Sequence, residues 1–195
     1  MDEWEKKRDV MRRYDSSANV YDDCYSEEQN AKIDAAMKRL NMQKGFRLLD
    51  LGCGTGMSFC HVSNKAGAIV GLDISRKMLV HARKRTEVYH GVELVLADAD
   101  NTPFKNNVFD LLLAVTLIQN APNPLRTLKE AGRVLKTAAP LVVTGLKKKF
   151  SRAAFEKLLH NAGLEVIILK SDRLKCYVAV CTNSTRNTLS LKSKG

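Results

Sequence analysis

The segment Leu48-Leu49-Asp50-Leu51-Gly52-Cys53-Gly54-Thr55-Gly56 constrains this chain more than any other. An apolar run carrying one acid breaks into three glycines at alternate positions. The run reads as a buried strand and the glycines as a tight turn opening a helix, the nucleotide-cradling start of an open α/β sheet. Without a Cβ, such a turn brings backbone N–H groups within reach of a ligand. The spacing narrows the choice of ligand. A dinucleotide loop, G-x-G-x-x-G/A, needs a small residue to pack helix on strand, and this chain has Met57 there. Asp50 would sit badly beside a pyrophosphate and well beside a cation such as a sulfonium or an ammonium.

Two further acids follow at strand ends. Ala68 to Ser75 is a short apolar run ending in Asp73, 23 residues after Asp50, about the length of one strand–helix–strand unit. A carboxylate there can accept both hydroxyls of an adenosine ribose, whether the ligand is a dinucleotide or S-adenosylmethionine (SAM). Ser75 is placed to cap a helix over Arg76 to Arg85, with Met78 on its inner face. Val92 to Leu96 reads as a third strand followed by Ala97-Asp98-Ala99-Asp100, where an acid can accept the adenine 6-amino group. Pro103-Phe104 and then Phe109 to Val115 give a turn and a fourth buried strand.

This ordered set resembles the class I SAM-dependent methyltransferases, specifically the small type 11 methyltransferase-domain group. The matching residues are LLDLGCGTG at 48–56, VGLDIS at 70–75, ADA at 97–99, FDLLLAVTLIQN at 109–120 and LRTLKEAGRVLK at 125–136. The resemblance implies a single Rossmann-like α/β domain: a seven-stranded, mostly parallel sheet with an antiparallel last strand and helices on both faces. It implies SAM as cofactor, held by Asp50, Gly52, Cys53, Gly54, Gly56, Asp73, Ile74, Met78, Asp98, Ala99 and Val115. Tyr14 and Tyr21 would close over it from an N-terminal lid. Compact members of the family act on small molecules, others modify tRNA or rRNA, and some of the latter need a small activator subunit.

The chain divides into an N-terminal helical segment or lid (1–45), the SAM-binding core (46–182) and a basic tail (183–195) whose Ser, Thr, Asn and Lys predict disorder. Residues 1–13 alternate charges at helical spacing, as a solvated helix or arm does. Tyr14, Tyr21 and Tyr25 are spaced to share one helix face, either packing on the sheet edge or covering the pocket. Strands are expected near 46–51, 68–72, 92–96, 108–115, 141–144, 165–170 and 176–182, the last two joined by a turn at Ser171-Asp172. Helices are expected near 56–65, 75–86, 124–136 and 151–162.

Composition excludes other classes. The 195 residues suit one domain, and no apolar run approaches the roughly 18 residues of a membrane span. The charged opening Met1-Asp2-Glu3-Trp4 does not read as a signal peptide. Five scattered cysteines without a CxxC pair point away from disulfides and zinc and towards a reducing cytoplasm. No His, Asp or Glu cluster indicates a catalytic metal. Of the net charge of +11, residues 140–195 contribute most, with 11 Lys+Arg against 3 Asp+Glu.

In an open sheet the ligand lies beyond the carboxyl ends of the strands, so the loops after strands four and five form the substrate rim. The first, Thr116 to Pro122, lacks the Asn/Asp-Pro-Pro-Tyr/Phe motif that grips a planar nitrogen and the Pro-Cys nucleophile used on pyrimidine carbon 5. Catalysis by positioning an O, N or S nucleophile in line with the sulfonium is therefore expected. Gln119 and Asn120 either hold the acceptor or cap the loop. The second loop carries Lys147-Lys148-Lys149, either a solvated run or a phosphate-attracting rim. The expectation is a methyltransferase with RNA slightly ahead of a small metabolite as acceptor. A SAM-binding module without turnover and an NAD-dependent oxidoreductase are the other readings.

Overall fold

Along each central strand, successive apolar residues belong to different cores, because a strand turns alternate side chains to opposite faces. The computed structural model describes residues 2–40, 42–170 and 174–183. Its strands are β1 (Phe46–Leu51), β2 (Ala66–Asp73), β3 (Val92–Leu96), β4 (Leu111–Ala114), β5 (Pro140–Leu146), β6 (Leu164–Lys170) and β7 (Cys176–Asn183). They form one sheet in the order β3-β2-β1-β4-β5-β7-β6. β1 to β5 run parallel, and β7 lies antiparallel between β5 and β6.

The helices are α1 (Glu3–Ser17), α2 (Tyr21–Met37), α3 (Phe59–Val62), α4 (Arg76–Thr86), α5 (Pro124–Val134) and α6 (Arg152–Asn161). Leu48, Leu111, Leu113, Val142 and Val178 pack with residues of α2, α3 and α4 on one face. Leu49, Leu112, Val143 and Ala179 pack with Leu128 and Ala131 of α5 and Phe155 and Leu159 of α6 on the other. Helices thus cover both faces, and the runs in β1 and β4 are continuously apolar because neither face meets water.

Three caps explain where α4, α5 and α6 begin. The Ser75 hydroxyl accepts from the Met78 N–H, the Asn123 side chain from the Arg126 N–H ahead of Pro124, and the Ser151 hydroxyl from the Ala154 N–H.

The structure differs from the sequence expectations at two helices. The helix expected over 56–65 is a four-residue turn of helix, because Gly56 is left-handed (φ +79°) and its N–H closes a turn onto the Cys53 carbonyl. The tyrosines do not share one helix: Tyr14 lies on α1, while Tyr21 and Tyr25 lie on α2 beyond a break at residues 18–20. Their rings still meet, with centroids 5.9 Å apart for Tyr14–Tyr21 and 4.9 Å for Tyr21–Tyr25. Asn183, expected in the tail, ends β7 and donates to the Gly132 carbonyl. The rest of the tail, 184–195, and the Ser171-Asp172 turn lie outside the described residues. No helix among the described residues is long and apolar enough to cross a membrane.

Candidate functional site

The ends of β1 to β4 open into a cleft lined on one side by the glycine loop and on the other by Lys7, Val10 and Tyr14 of α1. Gly52 and Cys53 both donate their N–H groups to the Leu72 carbonyl, tying the loop after β1 to β2. Gly52 is left-handed, and a Cβ on it would come within 2.9 Å of Leu117 Cδ1. Gly54 donates its N–H to Asp73 Oδ2 at 2.8 Å. A Cβ on Gly54 would meet no atom within 4 Å, so this backbone faces open space where a ligand can approach it. Asp73 also accepts from the Ser75 N–H at 2.8 Å. Burial pushes its pKa up, against the pull of those backbone donors.

A smaller recess adjoins the cleft, sharing Tyr21, Gly52, Gly54 and Val115 with it. Asp50 lies in this recess, 4% exposed, and accepts a hydrogen bond from Ser58 Oγ. No cation stands beside it among the described residues. Burial and the nearby Asp73 carboxylate raise its pKa to about 7, although Ser58 opposes the shift. A buried carboxyl without a counter-ion is costly to ionise. The recess therefore suits a ligand ammonium.

Helix α1 lies across the cleft, held by polar contacts to three strand ends. Lys7, buried, places its ammonium 2.6 Å from both Asp98 Oδ2 and Asp100 Oδ2. Burial alone would lower its pKa, but Asp100 and Asp98 outweigh burial and hold it above the usual lysine value. Asp15 accepts from Ser75 Oγ at 2.5 Å. Arg13 and Tyr14 both bond Asn120, after β4. Lys7 is the sole fully buried residue within α1, so charge and hydrogen bonds supplement the half-buried Val10, Met11 and Tyr14 in keeping this helix in place. Replacing Lys7 with Met should cost about 3 kcal/mol, since it strands two poorly solvated carboxylates. Amide exchange along α1 should rise accordingly, and an unchanged rate would remove Lys7 from this role.

Of the residues expected to hold cofactor, Tyr14, Tyr21, Gly52, Gly54, Asp73, Ile74, Met78, Asp98, Ala99 and Val115 line the cleft. Asp50 and Cys53 line only the recess. Gly56 lines neither: a Cβ there would lie 2.3 Å from Phe59 Cε2, so this glycine serves packing beneath the loop. Asp98, expected to be open to adenine, already accepts from Lys7 and from the Asp100 N–H. Asn120 lines the cleft, yet both amide hydrogens are spent on Tyr14 Oη and the Thr116 carbonyl. Gln119 lies off the cleft lining. Lys147, Lys148 and Lys149 form an exposed turn after β5, and none lines the cleft. Among the described residues, no group of three or more His, Cys, Asp or Glu could hold a metal ion.

Sequence reasoning missed Lys7, Gln29 and Lys32, and placed Thr116 on the rim loop without giving it a role. Lys7 sits in a helix of mixed charges that carries no mark of burial. Thr116 is left-handed (φ +59°), a state that Thr rarely adopts and that no pattern in the sequence signals.

An open α/β sheet with β7 inserted antiparallel and a glycine loop facing the cleft defines a Rossmann-like methyltransferase domain. The family described as "Methyltransferase domain" matches residues 49–143. Over these residues the chain carries a methyltransferase domain of the class I SAM-dependent kind. A demethylmenaquinone methyltransferase of Bacillus licheniformis is 37% identical over 137 residues, which is 68% of this chain and 57% of that protein. The matched part thus spans less than three fifths of the curated relatives' length.

Two solved structures share the fold. One is the Burkholderia thailandensis 1,6-didemethyltoxoflavin N1-methyltransferase with 1,6-didemethyltoxoflavin and S-adenosylhomocysteine. It is 14% identical, with a TM-score of 0.81 over 95% of this chain and 92% of that one. The other is a methyltransferase in complex with the Haloferax volcanii Trm112 methyltransferase activator. It is 18% identical, with a TM-score of 0.78 over 88% of this chain and 98% of that one.

Proposed function

We propose that this chain transfers the methyl group of SAM to a small cyclic acceptor bound under α1. The observation that carries this reading is the roofed cleft. Its walls are largely apolar, with Val10, Leu117, Ala121 and Pro122 on the side away from the glycine loop, while the lysine turn stands outside it. The demethylmenaquinone methyltransferases among the relatives and the 1,6-didemethyltoxoflavin enzyme are named for small ring systems. They favour a metabolite over RNA.

In this arrangement Asp73 accepts the ribose hydroxyls, Asp50 pairs with the ammonium, and the Asp98-Ala99 edge meets adenine. When bound, SAM supplies an electrophilic methyl on a sulfonium. The protein's part is to exclude water and hold the acceptor in line with that methyl, which is worth several kcal/mol of barrier. The activator-bound structure that shares this fold supports a small protein partner for this chain as well.

The test is methyl transfer from labelled SAM into a cell extract, with products divided by ribonuclease, protease and solvent extraction. Solvent-extractable label is the expected outcome. Ribonuclease-sensitive label would overturn the acceptor class and give the basic stretch 140–195 its use, by the salt-dependent attraction such charge exerts on phosphates.

A further inference from the structure

Thr116, just beyond β4, spends every polar atom it has. Its N–H donates to Thr144 Oγ1 at 2.7 Å, and its hydroxyl accepts from the Lys32 ammonium at 3.1 Å and donates to Gln29 Oε1 at 2.8 Å. Its carbonyl accepts from Asn120 Nδ2 at 2.9 Å. The left-handed backbone costs energy for a β-branched residue, so the surrounding bonds must hold it there.

Asn120 inherits a fixed orientation from this hub. Its Oδ1 faces the Arg13 guanidinium at 2.8 Å, which can only donate. Its Nδ2 faces the Thr116 carbonyl, which can only accept. The amide therefore cannot be turned over. The second hydrogen on Nδ2 points to Tyr14 Oη at 2.9 Å. Tyr14 Oη is the acceptor in that bond, so the phenol keeps its own hydrogen, and no acceptor for it stands among the described residues. Tyr14 lines the cleft, and burial raises its pKa, which keeps the phenol protonated. Gln29 repeats the arrangement for Tyr21, taking the Thr116 hydroxyl on Oε1 and donating from Nε2 to Tyr21 Oη at 3.3 Å.

We infer that Thr116, Asn120 and Gln29 are positioning residues that hold Tyr14 and Tyr21 as paired hydrogen-bond donors to an anionic or electron-rich oxygen of the bound ligand. With the cofactor and acceptor class proposed above, that oxygen belongs either to the carboxylate of SAM or to the acceptor ring. Both phenols flank the same stretch of cleft, and a ligand oxygen there meets donors that need no reorganisation.

The experiment is calorimetric titration of three probes: S-adenosylhomocysteine, methylthioadenosine, which lacks the amino-acid end, and 2-hydroxy-1,4-naphthoquinone added after S-adenosylhomocysteine. The proteins are the parent, Tyr14→Phe, Thr116→Val and Thr116→Ser. Tyr14→Phe and Thr116→Val are expected to weaken S-adenosylhomocysteine or the hydroxynaphthoquinone about ten- to a hundredfold. Methylthioadenosine should bind as to the parent, and Thr116→Ser should restore affinity. Loss confined to S-adenosylhomocysteine assigns the donors to the carboxylate; loss confined to the hydroxynaphthoquinone assigns them to the acceptor.

Tyr14→Phe binding both ligands like the parent overturns the inference. So does equal weakening of methylthioadenosine, or a parent that binds neither oxygen-bearing ligand. None of these readouts needs turnover, so absent methyl transfer would sink the proposed function and leave the positioning role intact.

Discussion

Asp73→Ala is expected to weaken SAM binding by two to three orders of magnitude and to be the most damaging single change in the cleft. The carboxylate accepts from the Gly54 and Ser75 N–H groups. Its remaining acceptor capacity takes the ribose hydroxyls under the proposed function. Hydrogen bonds to a charged group are worth about 1.5–3 kcal/mol each. Two lost ribose bonds therefore amount to about 3–6 kcal/mol, and the lower part of that range, about 3–4 kcal/mol, is the stated loss in affinity. Freed from Asp73, the Gly54 N–H no longer pins the loop, so the surface that a ligand would meet also loosens. Stability should fall less than affinity, because burial raises the pKa of Asp73 and its charge is costly to keep in the fold. Titration with S-adenosylhomocysteine and thermal unfolding of the free protein check the two effects. An unchanged dissociation constant would remove Asp73 from the ribose site.

The sheet was legible because burial on both faces leaves a direct mark on composition. Leu111 to Ala114 and Leu48, Leu49 and Leu51 are apolar at successive positions because helices cover both faces. The glycine-loop side of the cleft was legible for a different reason. Glycine turns and strand-end acids are local, so Gly52, Gly54, Asp73 and Asp98 could be placed from spacing alone.

Features that depend on distant pairing were not legible. Lys7 reads like its neighbours Lys6 and Arg8, and only the approach of α1 to the β3 loop buries it against Asp98 and Asp100. The break between α1 and α2 carries no glycine or proline, so nothing in residues 18–20 announced that Tyr14 and Tyr21 lie on separate helices. Lys147 to Lys149 were rightly placed after β5. Their remove from the cleft is a matter of strand order, since the cleft is built on the ends of β1 to β4.

Asp50→Asn should strengthen the free protein while weakening its hold on SAM. In the unfolded chain this carboxyl titrates near 3.8, and in the fold near 7. Between those values the folded protein keeps a proton that the unfolded chain has released. The stability tied to that proton is fully present below 3.8 and is lost as pH rises through 7. At pH 8 the cost of an ionised Asp50 is on the order of 4 kcal/mol, an upper figure, since one pKa unit corresponds to about 1.4 kcal/mol. Asn keeps the shape and the acceptor for Ser58 without the charge. The variant should melt several degrees higher than the parent at pH 8, and the gain should shrink by more than half at pH 5. With SAM the sign reverses: the ammonium proposed for this recess would repay ionisation of Asp50. The parent should bind SAM more tightly as pH rises from 6 to 8, while Asp50→Asn should bind it about ten- to a hundredfold more weakly at pH 8. Methylthioadenosine, which carries no ammonium, should not distinguish the two proteins. Equal SAM affinity for both at pH 8 would leave Asp50 a buried strand residue bonded to Ser58 and would detach the recess from the cofactor.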